Sequence, residues 1–195
     1  MEGTFFITLD YLKQLGACRE GQREFQRVFP DGGEYQAILD RCADEGRLDF
    51  GSWLLNHIGA TNDVRIYEEK IDAPNRGIIF AGDIKLKSGA NVKFLFSGES
   101  IEAGEGIQAG LGIKAGRGIQ AGWGIQAGWG IEAGWGIKAG ESIEAGEDSC
   151  VFAGLNINKS NWPIFAVVTA KEKPNNLVSG YWKPIADGLF KENNL

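Results

Sequence analysis

Three patterns of apolar and polar positions follow one another along the chain. In the first, the apolar positions recur at helical spacing: "ITLDYLKQLG" sets Leu9, Leu12 and Leu15 on one face, behind Thr8 as a cap and before Gly16 as a stop. "CREGQREFQRVFP" then places Phe25, Val28 and Phe29 together before Pro30, and "GEYQAILDRCADEG" does the same with Tyr35, Ile38, Leu39 and Cys42. "DFGSWLLNHIG" runs from Asp49 as its cap to Gly59. The spacing predicts four short helices, forming a helical subdomain over residues 1–60 that packs on itself or caps a neighbour.

The second pattern begins after Ala60. "DVRIYEEKI", "GIIFAG", "DIKLKS" and "NVKFLF" alternate or are β-branched, and Pro, Asn and Gly separate them, which predicts strands. The third pattern is a repeat: isoleucine stands at 101, 107, 113, 119, 125, 131, 137 and 143, each followed two residues later by Ala-Gly. "WPIFAVVTA" and "VSGYWKP" then return to strand-like alternation before the polar ending "KENNL". The reading is an α+β chain: a helical subdomain over 1–60, a β-solenoid over 61–185 with hexads at 101–148 and closing strands at 162–182, and a polar tail at 186–195.

Within a hexad, Ile-x-Ala has period two, so Ile and Ala point to one side and the Glu, Gln or Lys between them to the other. Gly, a variable residue and Gly or Ser complete the unit, the composition of a corner where the backbone must turn tightly and where glycine leaves φ > 0 open. One such unit buries nothing alone, whereas stacked coils bury a continuous column of Ile and Ala. The outward residues bear on the number of hexads per coil. With three, residues 18 apart stack: Lys114 meets Glu132, Glu102, Gln120 and Lys138 form a ladder, and Arg117 lies over Trp135. With two, Glu132 stacks on Glu144, so three per coil is favoured.

Composition narrows the function classes. A formal net charge of −6 argues against gripping nucleic acid through its phosphates, and the segment from Glu99 to Asp148 carries −5 of it. Lys114, Arg117 and Lys138 interrupt that negative field. Cys18, Cys42 and Cys150 have neither disulfide nor zinc spacing and read as idle thiols. "MEGTFFITLDYLKQLG" carries an acid where a signal peptide has basic residues, and the chain has no long apolar run, so a cytoplasmic, membrane-free protein is expected.

Candidate chemistry is sparse. His57 has no second His or Cys pair near it in sequence and reads as structural, while Asp40, Asp44, Glu45 and Asp49 match no calcium loop. Glu68 and Glu69 read as solvated. No catalytic residue, metal or cofactor is expected. What folding leaves unexplained is the solvent-facing set: Trp123, Trp129 and Trp135 in the variable corner slot, with Glu102, Glu105, Glu132, Glu141, Glu144 and Glu147. The slot also holds Leu111 and Arg117, so it faces solvent unless the helices cover it.

The run "GIQAGLGIKAGRGIQAG" with "SIEAG" resembles the I-[KEQ]-A-G-x-[GS] arrays of small proteins carried by bacterial prophages and other mobile elements. "LGACREGQREFQRVFPDG" with "DFGSWLLNHIG" is similar to a helical module of phage-type repeat proteins. The resemblance transfers no catalytic residue. It implies a binder or inhibitor of host machinery, such as a CRISPR surveillance complex, with an acidic surface that imitates nucleic acid. The expectation is therefore a non-enzymatic protein-binding module for a basic protein surface, without direct nucleic-acid contact. A homodimer through a bare solenoid end, end-to-end self-assembly and glycan binding at the Trp corners are the alternatives.

Overall fold

The computed structural model describes residues 5–185; the polar tail expected at 186–195 lies outside them. Four helices come first: α1 (Leu9–Gln14), α2 (Arg19–Val28), α3 (Tyr35–Asp44) and α4 (Leu48–Ile58). A two-residue ladder between β1 (Phe6–Ile7) and β2 (Gly33–Glu34) ties the start of this module to its middle. Thr8 caps α1 as expected, its hydroxyl accepting from the Tyr11 N–H at 3.2 Å, and Gly16 takes φ 80° just beyond the helix. Asp49 is not a cap, because α4 starts one residue earlier behind Arg47. Asp49 falls instead in its first turn, where a carboxylate still favours the helix dipole.

The chain then winds into parallel coils with three faces. The first face stacks β3 (Val64–Tyr67), β5 (Asp83–Leu86), β7 (Ile101–Ala103), β10 (Ile119–Ala121), β13 (Ile137–Ala139), β16 (Val167–Thr169) and β18 (Tyr181–Trp182), which makes about seven turns. The second face stacks β8 (Ile107–Ala109), β11 (Ile125–Ala127) and β14 (Ile143–Ala145). The third stacks β9 (Ile113–Ala115), β12 (Ile131–Ala133), β15 (Val151–Ala153) and β17 (Leu177–Ser179). Two longer strands, β4 (Ile71–Phe80) and β6 (Ala90–Ser97), bend across the second and third faces, so that β6 pairs with β8 through Ala90–Val92 and with β9 through Leu95–Ser97.

Ile119 pairs with both Ile101 and Ile137, so a coil takes 18 residues, or three hexads. All eight hexad isoleucines are buried, as are their alanines apart from the half-buried Ala145. Each buried Ile is worth about 1.5–3 kcal/mol over leaving it in water. Ser97 occupies an alanine slot and stays satisfied, its hydroxyl donating to the Gly82 carbonyl at 2.6 Å.

The corner glycines turn the chain without positive φ: none in the hexads has it. The Gly after Ala is held by close approach in most hexads, Gly110 with 3.8 Å being an exception: a Cβ on Gly122 would lie 2.0 Å from the Gly104 carbonyl oxygen in the coil before, and one on Gly128 2.2 Å from that of Gly110. The second Gly is looser, with 3.4 Å at Gly118, which is why Ser100 and Ser142 can occupy the same slot. The corners therefore hydrogen-bond from coil to coil as the strands do, with the Gly122 N–H donating to Ala103 O at 3.0 Å.

The helices cover the start of the solenoid on its third face. Ile79, Ala81, Phe94 and Phe96 share one buried cluster with Leu12, Phe25, Leu39 and Leu54. β4 has a strand on one side only among the described residues. On the other side the Gln36 amide donates to Ile79 O at 2.9 Å and accepts from the Ala81 N–H at 3.0 Å, standing in for a neighbouring strand. Arg65 closes the first coil, its guanidinium 4.4 Å above the Phe80 ring and bonded to Asp40 at 3.1 Å. At the other end Leu177 and Trp182 pack on the core.

The stretch expected as strand from Trp162 is corrected: Trp162–Phe165 forms a helical turn, α5, begun by Pro163 within a long corner excursion, and extended structure resumes only at Val167. The three thiols are separate. Cys42 is buried in the helical core, and desolvation pushes its pKa up to about 12, whereas Cys18 is exposed and caps α2. A thiol reagent at neutral pH is expected to label Cys18 readily and Cys42 only when the helical module unfolds. Labelling of Cys42 in the folded chain at the rate of Cys18 would refute the packing.

Candidate functional site

Residues 18 apart share a corner, so the first corner carries Glu105, Trp123 and Glu141 as one column. Its backbone is fixed by Trp123 N–H to Glu105 O at 3.3 Å and Glu141 N–H to Trp123 O at 3.1 Å. Coils are about 4.8 Å apart, so Trp123 stands between Glu105 and Glu141 in the stack. Trp123 is 56% exposed. The adjoining second face presents Asp72, Asn91, Gln108, Gln126 and Glu144 outward in successive coils. Asn91 donates to Asp72 at 2.8 Å and Gln108 to Gln126 at 3.1 Å, so the ladder is pre-ordered, and none of its five positions is a Lys or Arg. A shallow groove of about 300 Å³ separates column from ladder, with Lys70 on its rim. Lys171 reaches Glu141 at 3.6 Å from the loop beyond.

The other candidates fall elsewhere. Trp129 is 61% exposed on the second corner, above Leu111, and borders an open groove of about 440 Å³ between α4 and the third face. Glu132 lies in that groove, paired with Lys114 at 3.6 Å, and Lys114 also donates to the Ser52 hydroxyl at 2.9 Å. Glu147 follows at the same corner, where the chain makes a turn closed by Ser149 N–H to Gly146 O. Trp135 occupies the third corner, 40% exposed, with the Arg117 guanidinium 5.5 Å from its ring and Phe165 at 6.0 Å. Glu102 is on the first face, 3.7 Å from Lys85. The N-terminal helices thus leave all three Trp at least 40% exposed, and the three stand on different corners.

The structure therefore gathers four of the nine expected residues, Glu105, Trp123, Glu141 and Glu144, and disperses the rest. The sequence reading missed Asp72 and Asn91, which precede the repeat and so lack its register, and Lys171, which follows the excursion where the 18-residue step fails. Gln108 and Gln126 were within reach of that step. His57 stacks on Trp53 at 4.1 Å with Nδ1 2.8 Å from the Trp53 carbonyl, a helix-surface arrangement. Among the described residues no group of three or more His, Cys, Asp or Glu is placed to hold a metal ion, and no helix is long and apolar enough to cross a membrane.

What the column can do follows from its parts. An exposed indole face attracts a cation by about 0.5–2 kcal/mol, and the carboxylates above and below can accept its N–H groups. A planar guanidinium suits both at once. The family model of the YdhT N-terminal domain matches residues 1–61, which are the helical module and not the solenoid. No curated protein and no solved structure matches the chain.

Proposed function

We propose that this chain is a non-enzymatic protein-binding module that receives a basic protein surface on its first corner and second face. The observation that carries the reading is the Glu105, Trp123, Glu141 column standing beside a ladder of amides and carboxylates. The finer reading is an inhibitor from a phage or other mobile element that sets this acidic side against the basic nucleic-acid groove of a host defence complex, such as a CRISPR complex. It draws on the resemblance of the hexad array and on the charge of −5 carried by residues 99–148. Glu99, Glu102 and Glu132 pair with Arg117, Lys85 and Lys114, and Glu141 of the column with Lys171, so the acidity rests chiefly on Glu105, Glu144 and Asp72.

Two alternatives are weaker on specific grounds. End-to-end assembly would use the last coil, where the N–H groups of Tyr181, Lys183 and Ile185 turn back to the coil before. The edge-facing position between the last two is Pro184, which has no donor, and Lys183 adds an edge charge. A glycan platform needs coplanar aromatic rings, and the three Trp lie on three corners.

The immobilised chain is expected to retain a basic, nucleic-acid-handling complex from host lysate at low salt and to release it at high salt. Glu105→Lys with Glu141→Lys abolishes retention, and Trp123→Ala weakens it about tenfold, the scale of a binding hot spot. Equal retention by the double-lysine variant would overturn the assignment.

A further inference from the structure

We infer a second docking site on the first coil of the solenoid: the free edge of β3, which accepts an extended segment of another protein by strand addition. This site is independent of the Glu105, Trp123, Glu141 column. β3 is the terminal strand of its sheet and pairs only with β5 among the described residues. The carbonyls of Asp63 and Tyr67 point to β5, accepting from Asp83 and Lys87, so in a parallel ladder the N–H and C=O of Val64 and Ile66 point to the open edge.

The side chains there break the rule of the face. From the second to the fifth coil its outward positions are polar, namely Asp83, Lys85, Glu102, Gln120 and Lys138. In β3 they are Val64 and Ile66, 48% and 51% exposed. The edge lacks the Pro and Lys that blunt the other end, and the inward charge of "DVRIY", Arg65, is taken up by Asp40 and the Phe80 ring. From the helical module, Gln36 bonds the β4 edge at Ile79 and Ala81 and Asp40 holds the inward-pointing Arg65 of β3, and among the described residues neither bonds the Val64 or Ile66 backbone. A free backbone edge with two apolar side chains on one side is what strand addition uses.

Charge selects the occupant. Asp63 stands before the strand and Glu68 and Glu69 after it, all exposed. Antiparallel pairing with a second copy would gather Asp63 of one chain with Glu68 and Glu69 of the other at both ends of the ladder, which opposes it. Parallel pairing of two copies through this edge would set Asp63 beside Asp63 and Glu68 and Glu69 beside their counterparts, which opposes it as well, and head-to-tail stacking would require the end blunted by Pro184. The segment that fits is extended, carries apolar side chains on one face, and has Lys or Arg at its ends.

The test uses the full chain and a fluorescent synthetic peptide of alternating valine and threonine flanked by lysines. Saturable binding is expected, weakened about tenfold or more by Ile66→Lys and by replacing the flanking lysines with glutamates. Ile66 is on the surface, so the variant keeps its fold. Amide exchange at Val64 and Ile66 should slow on binding. Absence of saturable binding, binding indifferent to Ile66→Lys, or Val64 and Ile66 amides already protected in the free chain would each overturn the proposal, the last because the edge is then occupied by this chain or a second copy.

Discussion

Gly122→Ala is expected to destabilise the solenoid by about 3 kcal/mol, while Gly118→Ala, four residues away in the same hexad array, stays within about 0.5 kcal/mol. Both are corner glycines with ordinary negative-side backbone, so propensity does not separate them. The difference is what the new methyl meets. At Gly122 it lies 2.0 Å from the Gly104 carbonyl oxygen and 3.0 Å from its carbon, both main-chain atoms inside the coil ladder. Relief requires prising two coils apart and breaking the bond from the Gly122 N–H to Ala103 O. At Gly118 the nearest atom, the Gly136 oxygen, is 3.4 Å away, and a shift of a few tenths of an ångström suffices. Urea unfolding followed by circular dichroism reads the outcome, and equal midpoints for the two variants would refute the account of the corners.

That contrast marks what the sequence could reveal. The hexads announce strand, face and coil length because a period-two triplet and an 18-residue charge ladder are both visible in one dimension. Lys114 over Glu132 and Arg117 over Trp135 follow from counting and are present at 3.6 and 5.5 Å. The reason for the invariant Ala-Gly step is invisible, because tight turns with positive φ and close backbone stacking both demand glycine. The repeat also hides its ending. β15 begins eight residues after Ile143 rather than six, with Val151-Phe152-Ala153 in place of Ile-x-Ala, because the turn at Glu147 and Asp148 takes two extra residues. Past the excursion that holds α5, the spacing no longer predicts stacking, so Lys171 beside Glu141 required three dimensions. The candidate site was half legible for the same reason: Glu105, Trp123 and Glu141 lie 18 apart, while Asp72, Asn91 and Lys171 lie outside the repeat.

The joint between helices and solenoid carries the other large effect: Phe94→Ala is expected to cost about 3–5 kcal/mol. In "NVKFLF" strict alternation fails at Phe94-Leu95-Phe96, three apolar residues in succession, which signals a strand covered on both sides. Leu95 enters the solenoid core, whereas Phe94 and Phe96 turn to the helices, 5.4 Å apart. Phe94 is fully buried, and its ring fills the space that a side chain on Gly77 would need, at 2.0 Å from an added Cβ. Truncation opens a cavity that a rigid coil on one side and α3 and α4 on the other cannot close. The loss should fall on the helical module, because the solenoid keeps its Ile and Ala columns. Amide exchange is therefore expected to accelerate throughout α3 and α4 while the amides of β10 to β13 keep their protection. Uniform acceleration across both parts would mean that helices and solenoid unfold as one unit, and that the cluster around Phe94 is not a separable joint.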